Sequence, residues 1–368
     1  MRGGVAKREG VNVSTPTIDT SMYAGPRYSL IENAPLLARN TMHVAANAEL
    51  LIEVHDDAAL DHLFRLPQLQ CAPVLVLGGG SNLLLAGDVE GVVLAMQTRG
   101  IKRIVDCEDH ALLRVDAGEN WDEFVHFTLA QGYAGMENLV SIPGTVGAVP
   151  IQNIGAYGTE AEEFITTVEA YDRTNRQRVR LDRSACAFGY RDSVFKHDRD
   201  RYVITAVEFR LPRHRPVQLD YAGVREELAE LGCNDPQPIQ VAKAIARIRA
   251  RKLPDPLRVG NAGSFFKNPI VDGATAARLS ASFPTLPQWN AGDGTRKISA
   301  AAMIELAGLK GHRDGAAGVS DQHALVLINH GGASGADLLA MARHVVATVG
   351  DKFGVILEPE PRIISATL

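Results

Sequence analysis

The amino-acid sequence predicts an α+β fold with more than one domain. The chain has 368 residues, and single hydrophobic cores rarely extend beyond about 250–300 residues, so two or three domains are expected. Segments typical of β-strands dominate the first half, whereas helical periodicity becomes frequent after residue 236. We find no internal repeat.

The N-terminal half is predicted to combine many strands with one helix. Residues 72–77 (APVLVL) are a continuous apolar run, which is typical of a buried strand. Residues 120–131 place apolar side chains at helical spacing and are followed by Gly132, which indicates an amphipathic helix with a glycine stop. Further strands are predicted at residues 83–86, 92–96, 112–115, 168–171, 178–181 and 203–211.

A domain boundary is predicted after a second helix, at residues 240–252. This helix cannot continue past Pro254 and Pro256. Beyond the boundary, helices are predicted at residues 298–307 and 336–349, and strands at residues 324–328 and 354–357.

The composition is that of an ordinary globular protein. Hydrophobic residues make up 46%, and 38 basic against 43 acidic residues give a net charge of −5. This balance does not favour nucleic acid or a membrane surface as the main partner. No apolar run approaches the ~20 residues that span a bilayer. Residues 1–21 lack the apolar core of a signal peptide and are expected to form a flexible extension.

The four cysteines, Cys71, Cys107, Cys186 and Cys233, lie far apart in the chain. They form no CxxC pair and no cysteine–histidine cluster at zinc spacing, which argues against a disulfide framework and a structural zinc site. We therefore expect free thiols in a reducing cytosol, and no metal site.

Residues 78–82 (GGGSN) directly follow the first buried strand. Glycines allow backbone N–H groups to converge on an anion, so this segment suggests a phosphate or pyrophosphate cradle. It lacks the third glycine of the Rossmann fingerprint and the lysine of a P-loop. Taken alone, the segment is weak evidence for a cradle and favours a plain tight turn.

Residues 141–158 (SIPGTVGAVPIQNIGAYG) contain four glycines and two prolines. This stretch is too rich in both for a long helix or strand, and too apolar for a flexible linker. A rigid, buried loop must satisfy its own backbone polar groups, and a bound polar cofactor would do so. A structural loop without a ligand is the alternative.

Six segments of the chain form an ordered set of motifs. They are LGGGSN at 77–82, IPGTVGAVPIQNIGAYG at 142–158, FGYRDSVFK at 188–196, KLPDP at 252–256, GNAGSFFKNP at 260–269 and LEPE at 357–360. In this order they resemble the UDP-N-acetylenolpyruvoylglucosamine reductase (MurB) family. The resemblance spans most of the chain, from about residue 40 to residue 362.

The resemblance implies an FAD-binding fold of the vanillyl-alcohol oxidase type. Two α+β subdomains sandwich FAD, and a C-terminal α/β domain binds the substrate. In this chain the first subdomain is expected at residues 22–101 together with a final strand at about 355–368. The second subdomain is expected at residues 102–250, and the substrate-binding domain at residues 251–354. Residues 77–82 contain no histidine, so the resemblance implies non-covalent FAD.

The implied activity is the NADPH-dependent reduction of UDP-N-acetylenolpyruvoylglucosamine to UDP-N-acetylmuramate, a cytoplasmic step of peptidoglycan synthesis. A hydride passes from NADPH to flavin N5 and then to the vinyl carbon of the substrate, and a proton completes the product. The implied partner is this small nucleotide sugar, and neither nucleic acid nor a membrane is expected as a partner. The protein is expected to be a monomer. The residues alone do not distinguish NADPH from NADH.

The implied catalytic residues come from three distant segments. Arg191 would stabilise the enolate, since a guanidinium binds a carboxylate with two-pronged geometry; a structural ion pair with Asp192 is the alternative. Glu360 would be the partner acid, with Glu358 as a weaker candidate, and Pro361 departs from the family by removing a backbone donor. Ser264 would donate the proton. No Gly-x-Ser-x-Gly elbow surrounds this serine, so a hydrolase nucleophile is not expected.

Two further groups of site residues are implied. The positions expected to hold FAD are Gly78, Gly79, Gly80, Ser81, Asn82, Ile142, Pro143, Gly144, Gly147, Ala148, Gln152, Asn153 and Gly155. The positions expected to bind substrate are Tyr157, Tyr190, Tyr221, Lys252 and Asn268. Tyr221 lies in an insertion that resembles the mobile, substrate-closing loop of the longer family type, although a surface tyrosine is the alternative. Lys252 ends a run of basic residues that is otherwise interpreted as a solvated helix face.

Two competing interpretations remain. One is a different FAD oxidase or dehydrogenase of the same fold, which need not combine Arg191, Ser264 and Glu360. The other is a flavin- or nucleotide-binding protein without catalysis.

Overall fold

A computed structural model describes residues 27–368, so the extension predicted at residues 1–21 lies outside the described part. The strands are β1 (Tyr28–Pro35), β2 (Asn47–Val54), β3 (Val74–Leu77), β4 (Leu83–Leu85), β5 (Val89–Met96), β6 (Ile101–Asp106), β7 (His110–Asp116), β8 (Gly155–Ala156), β9 (Thr159–Glu160), β10 (Ile165–Asp172), β11 (Gln177–Asp182), β12 (Tyr202–Pro212), β13 (Gly260–Ser264), β14 (Ile270–Val271), β15 (Gln288–Gly292), β16 (Thr295–Ile298), β17 (Arg313–Asp314), β18 (Ala317–Val319), β19 (Val326–Asn329) and β20 (Arg362–Ile364). The α-helices are α1 (Ala59–Leu63), α2 (Pro67–Cys71), α3 (Trp121–Ala130), α4 (Val194–His197), α5 (Val224–Glu230), α6 (Pro238–Lys252), α7 (Gly273–Ser282), α8 (Ala300–Leu306) and α9 (Gly335–Phe353).

The first sheet has the order β1-β2-β5-β3; β5 and β3 are largely buried on both faces, whereas the edge strand β1 is mostly exposed. Successive side chains of a strand point to opposite faces, and β5 shows this directly. Val92, Leu94 and Met96 enter one hydrophobic core, while Val93 and Ala95 enter another. Burial on both faces explains why β3 lies in the continuous apolar run at residues 72–77.

The second sheet has the order β11-β10-β12-β7-β6 and is antiparallel throughout. Helix α3 packs against it, with the Phe124 and Phe209 ring centroids 5.1 Å apart. The Asn120 side chain caps α3 by accepting a hydrogen bond from the Glu123 N–H, and Gly132 follows in the left-handed region with φ +75°. This core also takes in α6, so it lies between the first two sheets and their helices.

The C-terminal part builds the other core against the opposite face of the first sheet. Its main sheet has the order β13-β19-β18-β17, and β14, β16 and β15 form a smaller sheet. Strand β20 then returns to the N-terminal half and pairs in parallel with β4. This return brings the segment that precedes β20 close to residues 78–82.

The strand predicted at residues 354–357 is wrong, whereas the other predicted strands and helices are confirmed with small boundary shifts. Gly354 ends α9 in the left-handed region with φ +67°. Val355 and Leu357 are buried and Ile356 is 70% exposed, so the alternation is that of an extended chain. Residues 354–357 nevertheless belong to no strand, and regular pairing starts only at β20.

Helix α9 begins where its backbone touches β4. A Cβ on Gly335 would lie 1.7 Å from the Leu85 carbonyl oxygen. Gly335→Ala is therefore expected to lower the free energy of unfolding by about 2–3 kcal/mol through overpacking. Gly350→Ala in the same helix is the control, because its Cβ would meet only the Ile356 Cδ1 atom at 3.6 Å, and Ala is the better helix former. Chemical unfolding followed by circular dichroism measures both, and equal stabilities would contradict the close contact.

Two other features bear on function. Within residues 27–368, no helix is long and apolar enough to cross a membrane. Over the same residues, no group of three or more His, Cys, Asp or Glu side chains is arranged to hold a metal ion.

Candidate active site

Two glycine-rich segments contact each other where the first two sheets meet. We refer to residues 78–82 as the first glycine loop and to residues 141–158 as the second glycine loop. The Ser81 hydroxyl donates to the Pro143 carbonyl at 2.8 Å, and the Asn82 amide donates to the Gln152 side chain at 2.8 Å. A Cβ on Gly79 would lie 2.9 Å from the Gly144 Cα, so only glycine allows this approach.

The first glycine loop presents a row of unpartnered backbone donors. Within the described chain, none of the N–H groups from Gly78 to Asn82 donates a hydrogen bond. The N–H groups of Ile142, Gly144 and Thr145 in the second loop are also without acceptors there. Backbone N–H groups of such turns can form anion-binding concavities. The first glycine loop therefore has free donors available, and the phosphate cradle itself stays a prediction.

The rest of the second loop is held by the protein itself. Gly147 packs against Ala117, to whose carbonyl it donates at 2.8 Å. Asn153 is fully buried, and its amide donates to the Glu160 carboxylate at 2.8 Å and to the Gly189 carbonyl at 3.1 Å. The Asn153 side chain therefore shapes the loop rather than facing a ligand.

Arg191 and Glu360, 169 residues apart in sequence, form an ion pair. The Arg191 Nε lies 3.0 Å from a Glu360 carboxylate oxygen, and their side chains are only 19% and 14% exposed. The Arg191 Nη2 also donates to the Gly155 carbonyl at 2.8 Å. Asp192 instead contacts His197 at 2.8 Å. The alternative of an Arg191–Asp192 pair is therefore not what the structure contains.

Ser264 is the last residue of β13 and stands one residue before a backbone contact with Glu360. The Glu360 N–H donates to the carbonyl of Phe265, the residue after Ser264, at 2.8 Å. The Ser264 hydroxyl makes no hydrogen bond to any described residue. The Arg362 N–H donates to the Asn82 carbonyl at 3.1 Å, which joins the same segment to the first glycine loop. The three predicted catalytic residues are thus gathered beside the glycine loops.

Glu358 points away from this cluster. Its carboxylate is 72% exposed and pairs with Lys267 at 3.0 Å. This arrangement supports Glu360 over Glu358 as the partner of Arg191.

Tyr157, in the second glycine loop, packs against Tyr221, and we call this pair the tyrosine wall. Their ring centroids are 4.9 Å apart in an edge-on arrangement, and Tyr221 is 49% exposed. Burial raises the pKa of Tyr157, and the neighbouring Arg249 opposes this rise. Tyr221 thus contacts another predicted substrate residue rather than standing alone on the surface.

Tyr190, Asn268 and Lys252 lie on the C-terminal side. The Lys297 ammonium lies 4.7 Å from the centroid of the Tyr190 ring. The Asn268 side chain accepts from the Ala300 N–H at 3.0 Å and hydrogen-bonds to Tyr190. Lys252 is exposed at the end of α6. Burial lowers the pKa of His323, and Lys252 lowers it further, which places this lysine near the loop before β19.

The chain is similar to known proteins over most of its length. Residues 255–364 match the family model "UDP-N-acetylenolpyruvoylglucosamine reductase, C-terminal domain", and residues 48–179 match "FAD binding domain". The UDP-N-acetylenolpyruvoylglucosamine reductase of Xanthomonas campestris pv. campestris (strain 8004) is 54% identical over 341 residues, which cover 92% of this chain and 97% of the relative. This chain belongs to the UDP-N-acetylenolpyruvoylglucosamine reductase family.

Other members of the family give the same result. The reductase of Xanthomonas oryzae pv. oryzae (strain PXO99A) is 54% identical over 342 residues, 92% of this chain and 97% of the relative. The crystal structure of the reductase (MurB) from Thermus caldophilus is 24% identical, covers 92% of this chain and 99% of its own, and has a TM-score of 0.62. The predicted family and the predicted α+β fold with an FAD-binding domain are confirmed.

Arg249 is a candidate site residue that the sequence did not reveal. The basic run on α6 was expected to be a solvated face, which is wrong for this residue. Burial lowers the pKa of Arg249, its Nε donates to the Ser141 carbonyl at 3.2 Å, and it forms no ion pair with a described carboxylate. Arg249 follows Ile245 by four residues and so lies at the edge of the buried stripe of α6, a spacing that could have identified it.

Proposed function

We propose that this protein reduces UDP-N-acetylenolpyruvoylglucosamine to UDP-N-acetylmuramate, with FAD as cofactor and NADPH as hydride donor. The proposed reaction is a cytoplasmic step of peptidoglycan synthesis carried out by a monomer. One observation carries the proposal: Arg191 and Glu360 form an ion pair near two glycine loops that contact each other, and the Glu360 backbone is hydrogen-bonded to the residue that follows Ser264. This combination suits the reduction of an enolpyruvyl ether and is not required of other flavin oxidases.

The residues of the two loops fit FAD. The unpartnered N–H groups of residues 78–82 can hold the pyrophosphate, and Gly79 and Gly144 keep the two loops close together. When bound, FAD supplies the hydride chemistry between NADPH and the enolpyruvyl ether. Arg249 adds a half-buried positive charge beside the second loop, which favours an anionic or electron-rich group there.

Arg191 is proposed to bind the carboxylate of the enolpyruvyl group. Once the terminal vinyl carbon has received hydride, negative charge develops on the neighbouring carbon and on this carboxylate. A fixed guanidinium at this point stabilises the enolate without reorganisation, by about 3–4 kcal/mol. The Gly155 carbonyl and Glu360 orient Arg191 for this role.

Ser264 and Glu360 are proposed to complete the reaction. The Ser264 hydroxyl delivers its proton to the enolate carbon, which is basic enough to accept it, and the serine then recovers a proton from water. Glu360 must be either protonated or paired with Arg191 at this moment, because an unpaired ionised carboxylate would repel the enolate. Its contact with Arg191 keeps that side chain at the reacting group.

The substrate is proposed to lie between the tyrosine wall and the C-terminal domain. Tyr157 and Tyr221 enclose it from one side. Tyr190 and Asn268 contact it from the other, and Lys252 attracts its diphosphate as a point charge.

Anaerobic spectroscopy of the flavin tests the proposal. We expect a yellow protein that is bleached by NADPH and regains its colour on addition of UDP-N-acetylenolpyruvoylglucosamine without oxygen. Recovery of colour with oxygen alone, and not with the nucleotide sugar, would instead identify an oxidase of the same fold. A colourless protein that binds no added FAD would exclude both enzymes.

The contact between the glycine loops gives a separate prediction. Gly79→Ala is expected to weaken FAD binding at least tenfold, because its Cβ must push the loops apart at Gly144. Gly87→Ala is the matched control, since its nearest neighbour would be the Ser365 Cβ at 4.0 Å. Flavin content after purification and titration by fluorescence quenching measure the effect. Equal affinities in the two variants would remove this contact from cofactor binding.

A further inference from the structure

Arg191 has a second acidic neighbour, Glu160 on β9. A Cβ on Gly155 would lie 2.9 Å from the Glu160 Cγ and 3.1 Å from the Arg191 Nη1, so these two atoms are at most about 6 Å apart. Burial raises the pKa of Glu160, and Arg191 opposes this rise more than any other group does. The Arg191 guanidinium therefore has Glu360 at Nε, the Gly155 carbonyl at Nη2 and Glu160 on the Nη1 side.

Glu160 is also linked to the backbone that carries Arg191. Its carboxylate accepts from the Asn153 amide, which donates as well to the Gly189 carbonyl. Gly189 and Asp192 close the turn around Arg191 by two hydrogen bonds of 3.1 Å. Arg191 sits in this turn with φ +54°, a left-handed conformation that the surroundings must hold in place.

We propose that Glu160 is a positioning residue that acts through Arg191, by fixing the direction of the guanidinium and the turn that carries it. This inference rests on the proposed function. Glu160 interacts electrostatically with Arg191, and its hydrogen bond to Asn153 links it to the turn that carries Arg191. The neighbouring Glu162 instead pairs with Arg183 at 3.3 Å. Glu160 thus differs from the other acids of its turn in facing the candidate catalytic arginine.

The ionised carboxylate of Glu160 has two opposing effects. It repels a developing enolate, but across several ångströms of partly solvated protein, where such interactions are weak. It also keeps a two-pronged donor aligned, and misplacement of such a group by about 1 Å can slow a reaction up to 100-fold. Alignment therefore dominates, and loss of Glu160 should slow the step that uses Arg191.

Glu160→Gln tests the inference, because glutamine keeps the shape and the hydrogen bond to Asn153 but removes the charge. We expect reoxidation of the reduced flavin by saturating UDP-N-acetylenolpyruvoylglucosamine to slow at least tenfold in anaerobic stopped-flow. Reduction by NADPH and the affinity for FAD should stay within twofold of the unmodified protein. Glu162→Gln, with the same change of charge two residues away, should leave both half-reactions unchanged.

A double variant separates positioning from general structural damage. If Glu160 acts through Arg191, Glu160→Gln should have no further effect in an Arg191→Ala background. Additive losses, equal slowing of both half-reactions or an unchanged reoxidation rate would each overturn the inference. Failure of the proposed function gives a different result: the reduced flavin of the unmodified protein itself would not be reoxidised by the nucleotide sugar.

Discussion

Arg191→Ala is expected to slow reoxidation of the reduced flavin by the nucleotide sugar by roughly 10²–10³-fold. This is the loss that follows when one fixed donor to a developing negative charge is removed from a protected site. Arg191 is well placed for such a role, because it is four-fifths buried and held by Glu360 and the Gly155 carbonyl. Stopped-flow measurement of the two half-reactions gives the comparison directly.

Arg191→Lys distinguishes charge from geometry. Lysine retains the charge but cannot make two parallel hydrogen bonds to a carboxylate. We expect it to recover only part of the rate. Arg183→Ala is the control, since it removes an arginine that pairs with Glu162 at the surface. The Arg183 side chain is 55% exposed. If Arg191→Ala were reoxidised as fast as Arg183→Ala, enolate stabilisation by Arg191 would be ruled out.

The elements that the sequence predicts well are those specified by local physics. Strand β3 could be recognised because a strand buried on both faces has no polar positions. The end of α6 could be placed because Pro254 and Pro256 cannot continue a helix. The prediction of a strand at residues 354–357 is wrong because a strand also needs a hydrogen-bonded partner. Buried Val355 and Leu357 alternate with exposed Ile356, but this local pattern contains no information about a partner strand.

The candidate site depends on contacts that no local pattern contains. Arg191 and Glu360 meet only because β20 returns to pair with β4, and the resemblance to a family, not periodicity, brought these residues together in the prediction. The same resemblance implies a cofactor role for Asn153, whose side chain is held between Glu160 and Gly189. The roles of the predicted site residues remain predictions that the proposed variants test.

Ser264→Ala is expected to leave flavin reduction by NADPH intact and to slow the second half-reaction by at least 10³-fold. The change removes one oxygen atom from a half-buried position and leaves β13 its backbone pairing with β19, so folding and FAD binding should be preserved. The hydroxyl has no acceptor in the described protein. A hydroxyl one residue from the Glu360 backbone contact, with no hydrogen bond to the described protein, is available to a substrate.

The measurement is anaerobic mixing of the NADPH-reduced variant with UDP-N-acetylenolpyruvoylglucosamine. Reduced flavin should persist for Ser264→Ala, while Ser264→Cys, which retains a proton to donate, should recover colour slowly. Ser320→Ala is a matched control, because Ser320 is a buried serine of the same domain whose hydroxyl only accepts from the Gln322 and His323 N–H groups. The proposed mechanism assigns proton delivery to one oxygen, so normal reoxidation in Ser264→Ala would require water or another acid to protonate the enolate carbon. Arg191 would then be left as the principal contribution of the protein to this step.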